Sequence, residues 1–261
     1  MLLAVTTLIL LFLGALAIGF ISAMSGIGGG SLIVPYMILV LGFDVRVAVA
    51  TSLVAIIVTS SIAASEYLRD NLVDLKTALT LEPITTIGAI LGAIITTSIP
   101  PTIIRTGLGF ILLYVSMSML LKALRPSKTR KTIKRKTKRV TKALALLVSF
   151  FAGILSGMFG IGGGVLKVPI MAGLLGLPIK TAVATSSFMV GLTATGGSIV
   201  YVSRGIPEPL AVAALASGII PGAYIGARRL EKLRPRTVRL IFALILLYAA
   251  IRLIISLTHI I

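Results

Sequence analysis

The 261-residue chain has no cysteine and no tryptophan, one histidine and only seven acidic residues. Without cysteine there can be no disulfide, thiolate metal site or thiol redox chemistry. The single histidine, His259, stands alone, so a histidine cluster for metal binding or catalysis is excluded. No convergent nucleophile and base can be assembled around it, which argues against an enzyme and leaves no catalytic residue to name. The phosphate-cradling pattern G-x-x-x-x-G-K-[ST] is also missing, so ATP is not the direct energy source. No cofactor motif is present. Charged residues make up 12% of the chain against 57% hydrophobic, and the mean hydropathy is +1.11. That leaves too little polar surface to clothe a soluble globule, and no room for a separate soluble domain.

Long apolar runs fill the space instead. No Asp, Glu, Lys or Arg occurs from Met1 to Phe43, Thr106 to Leu121, Ala143 to Leu166, or Thr181 to Ser203. Uncharged runs of about 18 residues or more read as membrane spans. Because they are continuously apolar and do not alternate, they read as helices and not as barrel strands. The net charge of +18 is concentrated: eleven of the 25 bases lie between Lys122 and Lys142, and six between Arg228 and Arg239. Basic loops beside apolar spans are the mark of cytoplasmic loops in a multi-pass membrane protein. The partner they imply is the lipid bilayer with its anionic headgroups, not nucleic acid. The N-terminal run lacks a basic leader and continues into a motif repeated later, so it reads as a mature helix and not a signal peptide.

The repeat decides the architecture. Residues 21–52 read ISAMSGIGGGSLIVPYMILVLGFDVRVAVATS and residues 155–186 read LSGMFGIGGGVLKVPIMAGLLGLPIKTAVATS, matching at 18 of 32 positions without a gap at an offset of 134. The same offset pairs Tyr67 with Tyr201, Gly88 with Gly222, Gly92 with Gly226 and Pro101 with Pro235. The chain is thus expected to comprise a first transmembrane repeat (1–124), a basic cytoplasmic linker (125–142) and a second repeat (143–261), together one unit. Apolar segments fall at about 2–24, 30–43, 46–66, 77–98 and 102–123, then at about 142–158, 164–177, 180–202, 209–227 and 237–258. The second of each set is short, about 21 Å long if helical, so eight to ten crossings are possible in total. Five crossings per half put every heavily basic loop in the cytoplasm and both termini outside. Four per half force the 228–239 loop outside, against the positive-inside rule. Five is odd, so the halves insert upside down relative to one another, and inverted repeats with broken helices are a transporter architecture.

The broken segments carry the chemistry. Ser25–Pro35 reads SGIGGGSLIVP and Phe159–Pro169 reads FGIGGGVLKVP. Glycines permit close backbone approach and left-handed conformations. A helix starting after them presents unsatisfied amides and the positive end of its dipole, a combination that favours an anion. The bland alternative is that the glycines only allow tight helix crossing. Candidate anion-binding residues are therefore Gly26, Gly28, Gly29, Gly30 and Pro35 with Gly160, Gly162, Gly163, Gly164 and Pro169. The AVATS tails add the uncharged donors Thr51, Ser52, Thr185 and Ser186, joined by Ser187. Those hydroxyls either reach an anion or bond their own helix carbonyls. Lys167, opposite Ile33 in the repeat, either holds an anion as a point charge or snorkels to the interface. Glu82, opposite Ala216, either carries a coupling proton or lies at headgroup level. Asp44, Glu66, Arg69, Asp70, Asp74 and Lys76 read as solvated loop charges.

The paired GIGGG…VP motifs, the AVATS tails and the basic central linker resemble the TauE/SafE family of membrane transporters, also called the sulfite exporter or TSUP family. The resemblance covers essentially the whole chain and places the ten motif residues above on the family's two motifs. It implies an α-helical plasma-membrane carrier for small anions such as sulfite, sulfonates or related organic anions. The expected function is a secondary exporter working by alternating access on a small anionic substrate, without metal or cofactor. A passive anion channel or a structural membrane subunit remains the alternative.

Overall fold

The computed structural model describes residues 2–26, 28–124, 139–228 and 235–258. Residues 125–138 of the expected linker, residues 229–234 of the second basic loop, and His259 lie outside the described residues. The described residues form helices α1 (Leu2–Ser25), α2 (Gly30–Leu39), α3 (Val45–Arg69), α4 (Leu75–Ser98) and α5 (Pro101–Leu124). The second repeat supplies α6 (Arg139–Phe159), α7 (Gly164–Pro169), α8 (Ile179–Val202), α9 (Pro209–Arg228) and α10 (Pro235–Thr258). No strand occurs among the described residues. Each expected apolar segment is matched by a helix, and six are long and apolar enough to cross a membrane: 5–25, 45–69, 75–98, 101–121, 179–202 and 209–228.

The two short segments end sooner than their apolar runs. α2 stops at Leu39, and α7 passes at Pro169 into a π-helical stretch, Ile170–Leu174. Pro169 has no N–H to donate and crowds the preceding turn, a usual cause of such a change of pitch. Several residues expected to be merely solvated close helix starts or ends. Asp44 accepts from the Arg46 amide at 2.8 Å, and Asp74 accepts from the Thr77 amide at 3.1 Å and its hydroxyl at 2.9 Å. Both are N-caps. Glu66 joins the end of α3 to the end of α9 through Arg228, at 3.0 Å.

Glycines let the helices touch backbone to backbone. α4 lies along α6, where Gly88, Gly92, Gly153 and Gly157 leave no room for a Cβ: each would run into a carbonyl of the facing helix. α1 lies along α9 in the same way, with Gly218, Gly222 and Gly226 against the carbonyls of Phe12, Leu16 and Phe20. In lipid, where hydrophobicity does not drive helices together, such small-residue seams supply the packing. The offset of 134 exchanges these pairs, carrying Gly88 on Phe150 to Gly222 on Leu16 and Gly92 on Ile154 to Gly226 on Phe20. At the centre, the equivalent helices α3 and α8 run antiparallel, Gly197 packing on Leu53 and Gly191 on Ser60. That geometry is compatible with halves that cross the bilayer in opposite senses.

Replacing Gly157 by alanine puts a methyl group into the Ala89 carbonyl and is expected to cost about 1–3 kcal/mol. Gly173, exposed and with nothing within 4 Å of its would-be Cβ, serves as control. Thermal unfolding of the two variants in detergent checks this: a large loss is expected for Gly157→Ala and almost none for Gly173→Ala.

Candidate functional site at the paired glycine loops

The two glycine loops converge in the middle of the bundle. Gly28 and Gly162 both pack against Ile56 and Val190, which stand midway along α3 and α8 and are themselves equivalent at the repeat offset. A Cβ on Gly30 would run into the Gly160 carbonyl, so the loops touch through bare backbone. Gly26, Gly28, Gly29, Gly160, Gly162 and Gly163 have φ between +66° and +89°, a left-handed conformation that glycine adopts without penalty. Gly29 and Gly163 are the N-caps of α2 and α7, and neither is capped by a side chain. The first amides of each helix therefore lack an intrahelical acceptor. Gly164 is the buried first residue of α7, Pro35 is buried within α2, and Pro169 is exposed at the end of α7.

The AVATS hydroxyls hold these loops through contacts that cross between repeats. Ser52 donates to the Gly160 carbonyl at 3.0 Å and to Val49 at 2.8 Å, while Ser186 donates to the Gly26 carbonyl at 2.8 Å. Thr185 accepts from the Asp74 amide at 2.9 Å and Thr51 from the Glu208 amide at 3.1 Å, fixing the entries to α4 and α9. Ser187 is buried beside them. Behind each loop a tyrosine ties the preceding helix: Tyr67 donates to Ala23 at 2.6 Å and Tyr201 to Gly157 at 2.8 Å. Each of these three bonds recurs with the repeats exchanged at the same offset.

Among the described residues, the buried hydroxyls of Ser22, Ser31, Ser60, Ser149 and Ser156 have no hydrogen-bond partner, and Ser22 and Ser156 flank the two glycine caps. Ser22 and Ser156, equivalent in the repeat, are each 1% exposed, and their hydroxyls have no hydrogen-bond partner. Ser22 Oγ lies 3.1 Å from where a Cβ on Gly29 would sit, and Ser156 Cβ 3.4 Å from the corresponding point at Gly163. Ser31, in the first turn of α2, is also buried and unpartnered. A buried unsatisfied hydroxyl is costly, and here each stands beside an uncapped helix start. A cavity of about 220 Å³ borders the second of these, lined by Phe110, Tyr114, Leu155, Ser156, Gly163 and Leu166. Sequence reasoning missed both serines, although they match in the aligned repeats.

The structure also joins two residues that the sequence treated apart. Lys167 neither snorkels nor reaches solvent: it is 1% exposed, and its Nζ lies 2.9 Å from Glu82 Oε2. Glu82 is 3% exposed, inside the bundle and not at headgroup level. Thr193 of α8 hydrogen-bonds both partners, and Thr86 donates to Glu82 Oε1 at 3.1 Å. The Lys167 stem passes the cap of its own helix, with Cε 3.6 Å from the would-be Cβ of Gly163. The repeat offset pairs Lys167 with Ile33 and Glu82 with Ala216, so this charge pair has no symmetry-related counterpart.

A buried ion pair is much harder to halve than to remove. Lys167→Met, which strands Glu82, is expected to cost about 3–5 kcal/mol. The double variant Lys167→Met/Glu82→Gln recovers most of that loss. Unfolding measured in detergent for both variants tests the pairing directly.

Comparison with known proteins agrees with this architecture. Residues 11–253 match the family described as sulfite exporter TauE/SafE. The chain is 32% identical over 264 residues to the probable membrane transporter protein YunE of Bacillus subtilis, spanning 94% of this chain and 96% of that protein. It is 28% identical over 232 residues to the probable membrane transporter protein YdhB of the same organism, spanning 88% and 91%. A probable membrane transporter protein of Haemophilus influenzae is 27% identical over 267 residues, spanning 94% and 96%. No solved structure matches the chain. With a match that runs nearly end to end over an all-helical, multi-pass bundle, the chain belongs to the sulfite exporter TauE/SafE family of membrane transporters, not enzymes.

Proposed function

We propose that the protein is a secondary transporter of the plasma membrane that exports small anions such as sulfite or sulfonates by alternating access. In this reading the anion binds at the glycine-capped starts of α2 and α7. The observation that carries it is the pair of buried, unpartnered hydroxyls, Ser22 and Ser156, each packed by one of those caps. Free amides, the positive end of a helix dipole and a neutral O–H donor suit an anion that must be bound and then released.

The two repeats cross the bilayer in opposite senses, five times each, with the 125–142 linker cytoplasmic and both termini outside. What supports this count is which helix ends meet. The Thr51–Glu208 and Thr185–Asp74 bonds join the starts of α3 and α9 and of α8 and α4. Five crossings per half bring those starts to the same side, whereas four would separate them. The glycine loops then lie near the midplane, where one half can rock against the other around them. In this role Ser52, Ser186, Thr51 and Thr185 position the loops, and Gly26, Gly28, Gly30, Gly160, Gly162 and Gly164 make room for them.

The test exploits the missing partners. Because Ser22 and Ser156 have no hydrogen-bond partner among the described residues, Ser22→Ala/Ser156→Ala leaves thermal stability unchanged or slightly raised while cutting sulfite uptake into proteoliposomes at least tenfold. Gly29→Ala/Gly163→Ala, which strains both caps, loses uptake as well. Uptake that is normal in the serine double variant demotes the caps to packing. No sulfite or sulfonate uptake by the wild-type protein, under a pH gradient or a voltage, removes these anions as substrates.

A further inference from the structure

The Glu82–Lys167 pair is an odd thing to build beside an anion site. An isolated lysine there would attract a substrate anion without help, yet a carboxylate already occupies it. That carboxylate accepts three hydrogen bonds, from Lys167, from Thr193 and from Thr86 at 3.1 Å. The ammonium, however, sits at the end of a flexible stem that runs past Gly163, the cap of α7. It can therefore turn from Glu82 toward an anion at that cap by side-chain rotation alone.

We propose that Glu82 is an internal stand-in for the substrate: an incoming anion replaces it on Lys167, and Glu82 takes up one proton as it is released. This rests on the anion-transport reading above and adds its coupling. The charge balance fixes the stoichiometry. The resting pair is neutral. Adding one anion alone would leave a net negative charge buried in a low-dielectric bundle, which is prohibitive. With one monovalent anion and one proton added, the site again holds one ammonium, one bound anion and a neutral carboxylic acid. The released carboxyl has its partners in place. Thr193 and Thr86 now donate to it, and a hydroxyl oxygen accepts as readily as it donates, so one of these bonds reverses when the acid carries its single proton while the other still donates to it.

No competing charge is packed against this switch. Asp74 and Lys76 stand eight and six residues before Glu82 on α4, about 12 and 9 Å along the helix. Lys180 opens α8, thirteen residues before Thr193. α7 and its π-helical continuation hold no charge but Lys167, and α6 has none from Ala143 to its end. The symmetry-related position cannot duplicate the switch, because the repeat offset pairs Lys167 with Ile33, Glu82 with Ala216 and Thr86 with Ile220. One molecule therefore couples one proton to one anion in the same direction, and the class of substrate it fits is a monovalent oxyanion, such as hydrogensulfite or an alkyl sulfonate.

The experiment reads binding, without requiring transport. Purified protein in detergent is melted with sodium methanesulfonate or sodium hydrogensulfite, against sodium chloride at equal ionic strength. Methanesulfonate keeps its charge at every pH used, so any proton taken up belongs to the protein. In the wild type, the expected result is affinity that strengthens up to tenfold for each unit of falling pH. A pH-indicator dye in weak buffer should report about one proton taken up per anion bound. Glu82→Gln, which mimics the released acid, binds methanesulfonate independently of pH, and Lys167→Met/Glu82→Gln binds neither anion. Binding by the wild type with no proton uptake, or an unchanged pH dependence in Glu82→Gln, overturns the stand-in role while leaving an anion site at the caps. No binding of either anion by the wild type at any pH overturns both readings. If Glu82→Gln fails to fold, the wild-type proton count decides alone.

Discussion

Two glycine-rich stretches, Gly28–Gly30 with Gly26 before them and residues 160–164, have to be kept in the middle of an apolar bundle, where no water can satisfy their polar groups. The rest of the structure follows from that constraint. The carbonyls of Gly26 and Gly160 are met by serines from the opposite repeat, so neither loop is stable without the other half. Left-handed glycines turn the chain sharply enough to start α2 and α7 at the centre, and no bulkier residue would let the loops touch. The long helices supply the rigid frame: glycine seams lock α1 to α9 and α4 to α6, leaving the interior to the loops and to α3 and α8.

Irregular backbone at this depth is tolerated in membrane proteins where it is buried in protein or lines a cavity. Here most of it is buried, and hydroxyls that can donate are left over beside it. The helix-start amides, Ser22, Ser31 and Ser156 offer hydrogen to a ligand, and Lys167 offers a positive charge already balanced by Glu82. A bundle that supplied donors alone would hold an anion too firmly or draw one in without control. An internal carboxylate that must be displaced makes binding reversible and, in the proposed switch, ties it to a proton.

Much of this was legible in the chain. The 134-residue offset, taken from identities such as AVATS, pairs the cross-repeat bonds Ser52–Gly160 with Ser186–Gly26 and Thr51–Glu208 with Thr185–Asp74. It could do so because residues that hold two equivalent halves together must themselves be repeated. The ten apolar segments were legible for the same reason that spans usually are, since lipid permits little else. What stayed hidden has a physical cause in each case. Ser22 and Ser156 look like ordinary helical serines, which normally bond a carbonyl of their own helix, and only the folded chain shows that they do not. Glu82 and Lys167 lie 85 residues apart in different repeats, without counterparts, so the internal symmetry that revealed the other contacts carries no information about them. The premature end of α2 and the π-helical turn after Pro169 fall inside runs that remain apolar, where hydropathy has nothing to mark.

The central claim is that a small oxyanion binds at the glycine caps of α2 and α7, and it is tested most directly with an anion that can be seen. Selenite resembles sulfite in shape and charge and scatters X-rays anomalously. Diffraction from selenite-soaked crystals should show selenium within hydrogen-bond distance of the Ser22 or Ser156 hydroxyl and the adjoining helix-start amides. Selenium bound only at the basic surface, with both caps empty at saturating selenite, would contradict the account.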